Sequence, residues 1–113
     1  MRCLLLLPLF LVISSFTFLQ DNIYVEFTNK TTFDELIQTR TQLADKGITL
    51  NYRLIEFDAY KKLKALIIEV DCNDGFSGTG TSLQLYNQDK ITFKRDYTKD
   101  AVVPFEITVG HPK

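Results

Sequence analysis

The sequence predicts an α+β fold, a two-layer sandwich with one helix packed on a mostly antiparallel sheet of five to six strands. The expected order is β-α-β-β-β-β-β. Three observations predict it. One stretch, Thr32 to Gly47, carries helical periodicity between a start signal and a stop signal. The segments around it alternate apolar and polar residues at period two, as half-buried strands do. A single helix covers only one face of a sheet, and that leads to two layers.

The first strand is Asn22 to Phe27, with Ile23, Val25 and Phe27 on one face and Tyr24 and Glu26 on the other. The helix follows a polar connector. Thr32 and Glu35 stand at capping-box spacing, so each side chain can satisfy the other residue's amide. Asp34 and Glu35 place negative charge where the helix dipole favours it. Phe33, Leu36, Ile37, Leu43 and Ala44 form the expected apolar stripe, interrupted by Arg40. Gly47 suits the left-handed residue that closes the helix.

Ile48, Leu50, Tyr52 and Leu54 then alternate with polar residues, and the break at Leu54-Ile55 predicts a bulge or a strand end. Asp58 to Lys62 is a turn without glycine. Leu63 to Cys72 is the most apolar segment after residue 20 and is expected to be a central strand, with Leu66, Ile68, Val70 and Cys72 sharing a face. Asp74-Gly75 signals a hairpin. The Gly-rich run to Gly80 is expected to be turn, with the next strand at Leu83 and Leu85. Ile91 and Phe93 mark a short strand before a charged loop from Lys94 to Ala101. Val103, Phe105, Ile107 and Val109 alternate around Pro104, whose missing donor predicts an edge or a late start. The helix between the first two strands predicts a right-handed parallel crossover joining them.

Residues 1–20 read as a secretory signal: Arg2, an apolar run from Leu4 to Ile13, then Ser14-Ser15. That leaves one domain, 21–110, and a frayed end at 111–113. The leader predicts export to the periplasm or beyond, with membrane contact only through an uncleaved leader. Loss of Arg2 leaves 12 basic residues against 14 acidic ones in the 113-residue chain, a balance that argues against a nucleic-acid partner. Cys3 departs with the leader, so Cys72 has no partner for an intramolecular disulfide and is expected to be a buried thiol.

Chemistry-bearing patterns are few. Gly75 to Ser82 has phosphate-loop glycine spacing, but Thr81 stands where the lysine belongs and a strand follows. Asp71, Asn73 and Asp74 do not match a calcium loop, because Gly75 falls at position 5 and Ser82 at position 12. His111 is the only histidine, which argues against a zinc site. Glu26, Glu56, Glu69 and Glu106 read as solvated strand residues. Lys61, Lys62 and Lys64 read as a solvated turn, and Asn29-Lys30-Thr31 fits a glycosylation sequon. No cofactor, metal or catalytic residue is expected.

The series Asn29-Lys30-Thr31-Thr32, Glu35-Leu36, Leu43-Ala44-Asp45-Lys46-Gly47-Ile48 and Leu50-Asn51-Tyr52 resembles a small module of Bacteroidetes-type secreted envelope proteins. That module occurs alone or beside membrane metallopeptidases related to the β-lactam sensors. The likeness spans about Tyr24 to Leu85, and Asp58 to Lys62 departs from it by lacking a glycine. It implies an exported domain of undefined role. Peptidase activity does not carry over, since no His-Glu-x-x-His is present. The expected function is non-catalytic: binding an envelope protein or peptide through an open sheet face bearing Tyr24, Arg53 and Ile67. The alternative is a peptidase inhibitor or folding aid acting through the edge strand Val102 to Val109.

Overall fold

The computed structural model describes residues 21–110; the expected signal segment and the last three residues lie outside that range. Its elements are β1 (Ile23–Phe27), α1 (Phe33–Asp45), β2 (Thr49–Phe57), β3 (Leu63–Asp71), β4 (Ser77–Ser82), β5 (Lys90–Arg95) and β6 (Phe105–Gly110). The described residues form an α+β fold with one helix, as the sequence predicts.

The strands form two three-stranded antiparallel sheets, β1-β5-β6 and β2-β3-β4, and not one sheet of five to six. The expected parallel crossover between the first two strands is also absent. β1 pairs with β5, Ile23 opposite Arg95 and Phe27 opposite Ile91, while β2 pairs with β3. The helix leans on β2, where the Tyr52 hydroxyl donates to the Leu36 carbonyl at 2.7 Å, and faces β1 across an open depression.

Both helix ends follow the sequence signals. The Thr32 hydroxyl accepts from the Glu35 amide at 3.1 Å, and the Glu35 carboxylate accepts from the Thr32 amide at 2.9 Å. Gly47 adopts φ +84°, and its amide donates to Ala44 while that of Ile48 donates to Leu43. This paired arrangement satisfies two otherwise orphaned carbonyls. The apolar stripe is narrower than expected: Leu36 and Leu43 are buried, whereas Phe33 is 53% exposed and Ala44 is exposed. A helix set at the side of the sandwich presents only that narrow seam to the core.

One continuous core joins the two sheets. Phe27, Ile91 and Phe93 from one sheet and Leu50, Leu66, Ile68 and Val70 from the other are all buried in it. Phe27 of β1 meets Tyr52 of β2 edge-on at 6.1 Å between ring centroids. β3 is the central strand of its sheet, as predicted, and Leu66, Ile68, Val70 and Cys72 all face inward. A bulge lies between Tyr52 and Leu54, after which β2 continues to Phe57.

The Gly-rich run is a strand. β4 occupies Ser77–Ser82, and the expected strand at Leu83 and Leu85 is irregular connection, with Leu83 exposed and Leu85 buried. The reason lies in the opposite sheet. A Cβ on Gly80 would meet Ile107 Cγ2 at 2.8 Å, and one on Gly78 would meet Ile107 and Phe105 at 3.2 Å. At Gly80 the side chains of β6 therefore leave no room for a Cβ, and at Gly78 they leave little. The turn falls just before it, where Asn73 and Gly75 take positive φ and the Cys72 amide donates to the Phe76 carbonyl.

The glycine-free connection after β2 is organised by Asp58. Its carboxylate accepts from the amides of Tyr60 and Lys62, and Lys61 takes the left-handed position at φ +64°. β6 is an edge strand that begins just after Pro104, in agreement with the proline's missing donor.

Candidate functional site

The three residues expected on one open face lie on different sheets. Arg53 and Ile67 belong to the β2-β3-β4 sheet, and Tyr24 to the β1-β5-β6 sheet. Leu54 pairs directly with Ile67, and both are half-buried outside the main core. Arg53 extends beside them and donates to Glu69 at 2.9 Å. Tyr24 is 60% exposed, and its hydroxyl donates to Glu26.

Strand carboxylates are mostly paired with cations. Glu26 meets Lys90 at 2.9 Å, Glu69 meets Arg53, and Glu106 lies 3.9 Å from Lys94. The hydrogen bond from Lys90 holds the Glu26 carboxyl below its usual range. Cross-strand pairs of this kind favour strand register and solubility, and contribute little stability because they face water. Among the described residues no group of three potential metal ligands comes together. Asp71 accepts from the Asn73 amide through one oxygen, and Asp74 is engaged by Arg95. The sequon asparagine, Asn29, is buried, and its amide nitrogen donates to Asn87 at 2.9 Å. His111 lies outside the described residues.

The most concentrated polar arrangement surrounds Arg95, which the sequence placed at the start of a charged loop. It is the last residue of β5 and 8% exposed. Its Nε and Nη2 donate to one Asp74 oxygen at 3.1 and 2.6 Å, and its Nη1 donates to the carbonyls of Asp96 and Pro104. The guanidinium lies 4.5 Å from the Phe76 ring centroid and 4.4 Å from that of Tyr97. Phe76 stacks in turn on Phe105. Arg95 thereby fastens the β3–β4 hairpin to the other sheet, and its donors are directed at protein groups. The arrangement is a clamp.

Cys72 lies against this clamp and is buried. Burial pushes its thiol up to about 11, reinforced by the Asp74 charge and partly opposed by Arg95. The thiolate needed for nucleophilic attack is therefore scarce at neutral pH. Native protein at pH 8 is expected to resist iodoacetamide and to label fully once unfolded in guanidinium. Rapid labelling of the folded chain, read by intact mass, would show an accessible thiol.

A depression of about 500 Å³ lies between α1 and the start of β2, and a longer concave feature runs between β1 and α1. Two adjoining depressions of about 430 and 370 Å³ share Glu26, Thr39 and Gln42, and so form one groove. The helix wall presents Glu35, Gln38, Thr39, Gln42 and Lys46, which recur at helical spacing along one side of α1. The strand wall comprises consecutive residues 22–28. Amide and hydroxyl side chains line the middle of the helix wall, and charged and apolar side chains complete the lining. The Thr39 hydroxyl donates to the Glu35 carbonyl at 2.8 Å, while the Glu35 and Glu26 carboxylates are engaged by Thr32 and Lys90. Sequence reasoning missed this groove, although the polar helix positions that line it were legible as the side facing water.

No protein-family model matches this chain, no curated protein is significantly similar to it, and no solved structure matches its fold.

Proposed function

We propose that this protein is a non-catalytic exported module that holds a protein or peptide partner in the groove between β1 and α1. The observation that carries this reading is the groove itself, elongated and lined by hydrogen-bonding side chains. Its acidic side chains are already committed to neighbouring groups, which suits binding better than proton transfer. The export part rests on the leader pattern of residues 1–20, and the envelope setting on the resemblance of the helix-and-strand motif.

A second reading places the partner on the outer face of β2 and β3. The apolar pair Leu54 and Ile67, beside Arg53, favours it.

One experiment separates the two. Gln42→Trp fills the groove without touching the core, because Gln42 is exposed. Ile67→Asp places a charge on the other sheet. Both variants are to be compared with wild type for the partners retained from an envelope fraction of the native host, with thermal melts confirming that each is folded. Loss of the retained partner in Gln42→Trp alone is the expected result. Loss in Ile67→Asp alone transfers the site to the β2–β3 face, and an unchanged partner profile in both variants removes the binding reading.

A further inference from the structure

We propose that the groove binds an extended main chain as a fourth strand of the β1-β5-β6 sheet, hydrogen-bonded to the outer edge of β1. This rests on the binding reading above and adds the mode of binding and the chemistry of the ligand. The segment it takes is uncharged and polar, rich in Ser, Thr, Asn and Gln.

The strand wall carries the argument. Successive side chains of a strand point to opposite faces, so a groove lying over a face is lined by alternate residues. This groove is lined by every residue from 22 to 28, with both inward-facing Ile23 and outward-facing Tyr24 among them. A cleft that meets both parities of a strand lies along its edge. β1 is an end strand of its sheet and forms its ladder with β5 on the opposite side.

An edge presents N–H and C=O groups at a regular two-residue repeat, a template that another extended chain fits. Sugar hydroxyls carry no such repeat. The register of β1 with β5 is continuous from Ile23 to Phe27, without the irregularity that interrupts β2 near Arg53. At about 3.3 Å per residue, the lined stretch accommodates a segment of roughly five to seven residues.

The ligand's chemistry follows from charge. Glu26 and Glu35 are neutralised or capped by groups of the protein itself, and Lys30 and Lys46 stand towards opposite ends of the groove. The middle is left with Gln38, Thr39 and Gln42 facing the strand edge. Amides and hydroxyls there match neutral polar side chains, and a charged side chain in that middle stretch would lose hydration with no counter-charge beside it.

A phage-displayed library of random dodecapeptides, counter-selected against the Gln42→Trp variant, provides the test. Selected sequences are expected to be enriched in Ser, Thr, Asn and Gln and depleted in charged residues. The best peptide is then made with N-methyl groups on alternate backbone amides, in each of two registers. An added strand bonds to β1 through one set of amides only, so one register should weaken binding at least about tenfold and the other should leave it nearly unchanged. Amide chemical shifts of β1 should move on binding.

Equal effects of the two registers, or selection of charged peptides, would overturn the proposal. So would the absence of any selected peptide. Should the host partner still be lost in Gln42→Trp while no peptide is selected, the added-strand mode fails and the broader binding reading stands. If Gln42→Trp retains the host partner, the groove reading fails on its own terms.

Discussion

Replacing Arg95 with alanine is expected to lower the unfolding free energy by about 3 kcal/mol, the scale for breaking a buried charge pair. The loss has three sources. Asp74 keeps a partly buried carboxylate with its cation removed, two carbonyls lose their donors, and Phe76 and Tyr97 lose the plane between them. Arg95→Lys is expected to recover only part of this. An ammonium keeps the charge but cannot bond Asp74 through two nitrogens while also stacking between rings. Denaturant titration of the two variants against wild type measures both effects. A loss below about 1 kcal/mol for the alanine variant, the range of an exposed pair, would mean that the clamp is solvated.

Leu36→Ala is expected to lower stability by about 2–5 kcal/mol, the range for opening a cavity in a packed core. Leu36 is fully buried on the narrow seam of α1, in the same core as Leu43. A domain of about 90 residues has a total stability of roughly 5–13 kcal/mol, so the variant gives up a large share of it. Phe33→Ala is the matched control. Phe33 was expected on the same stripe but is 53% exposed, and its removal should change stability by less than about 1 kcal/mol. Equal melting shifts for the two variants would place the wrong side of the helix against the core.

Much of this architecture was legible locally. Thr32, Glu35 and Gly47 mark the helix because caps and stops are short-range chemistry. Period-two alternation located β1, β2, β3, β5 and β6 for the same reason. What the sequence hid is tertiary. Gly78 and Gly80 read as turn because glycine is permissive there, whereas their real constraint is the approach of Phe105 and Ile107 from another sheet. No pattern within 77–82 reports that neighbour. Arg95 was misplaced despite a usable signal, since Ile91, Phe93 and Arg95 alternate and their parity points the arginine inward. The groove was illegible because it depends on the helix leaning on β2 and leaving β1 aside, a choice set by Tyr52 and the core beneath it. Tyr24, Arg53 and Ile67 were separated by the same event, the division of one expected sheet into two.

The partnership of β1 with β5 has a consequence for biogenesis. Ile23 pairs with Arg95, so the first strand finds its native neighbour only after most of the chain has been synthesised. Long-range pairing of this kind slows folding, because a large loop must close before the ladder rewards it. Until then β1 lacks its neighbour in the sheet, and α1 and the β2–β3 hairpin can form ahead of it from local contacts. A nascent chain at this stage therefore holds its local elements while its first strand still lacks a sheet to join.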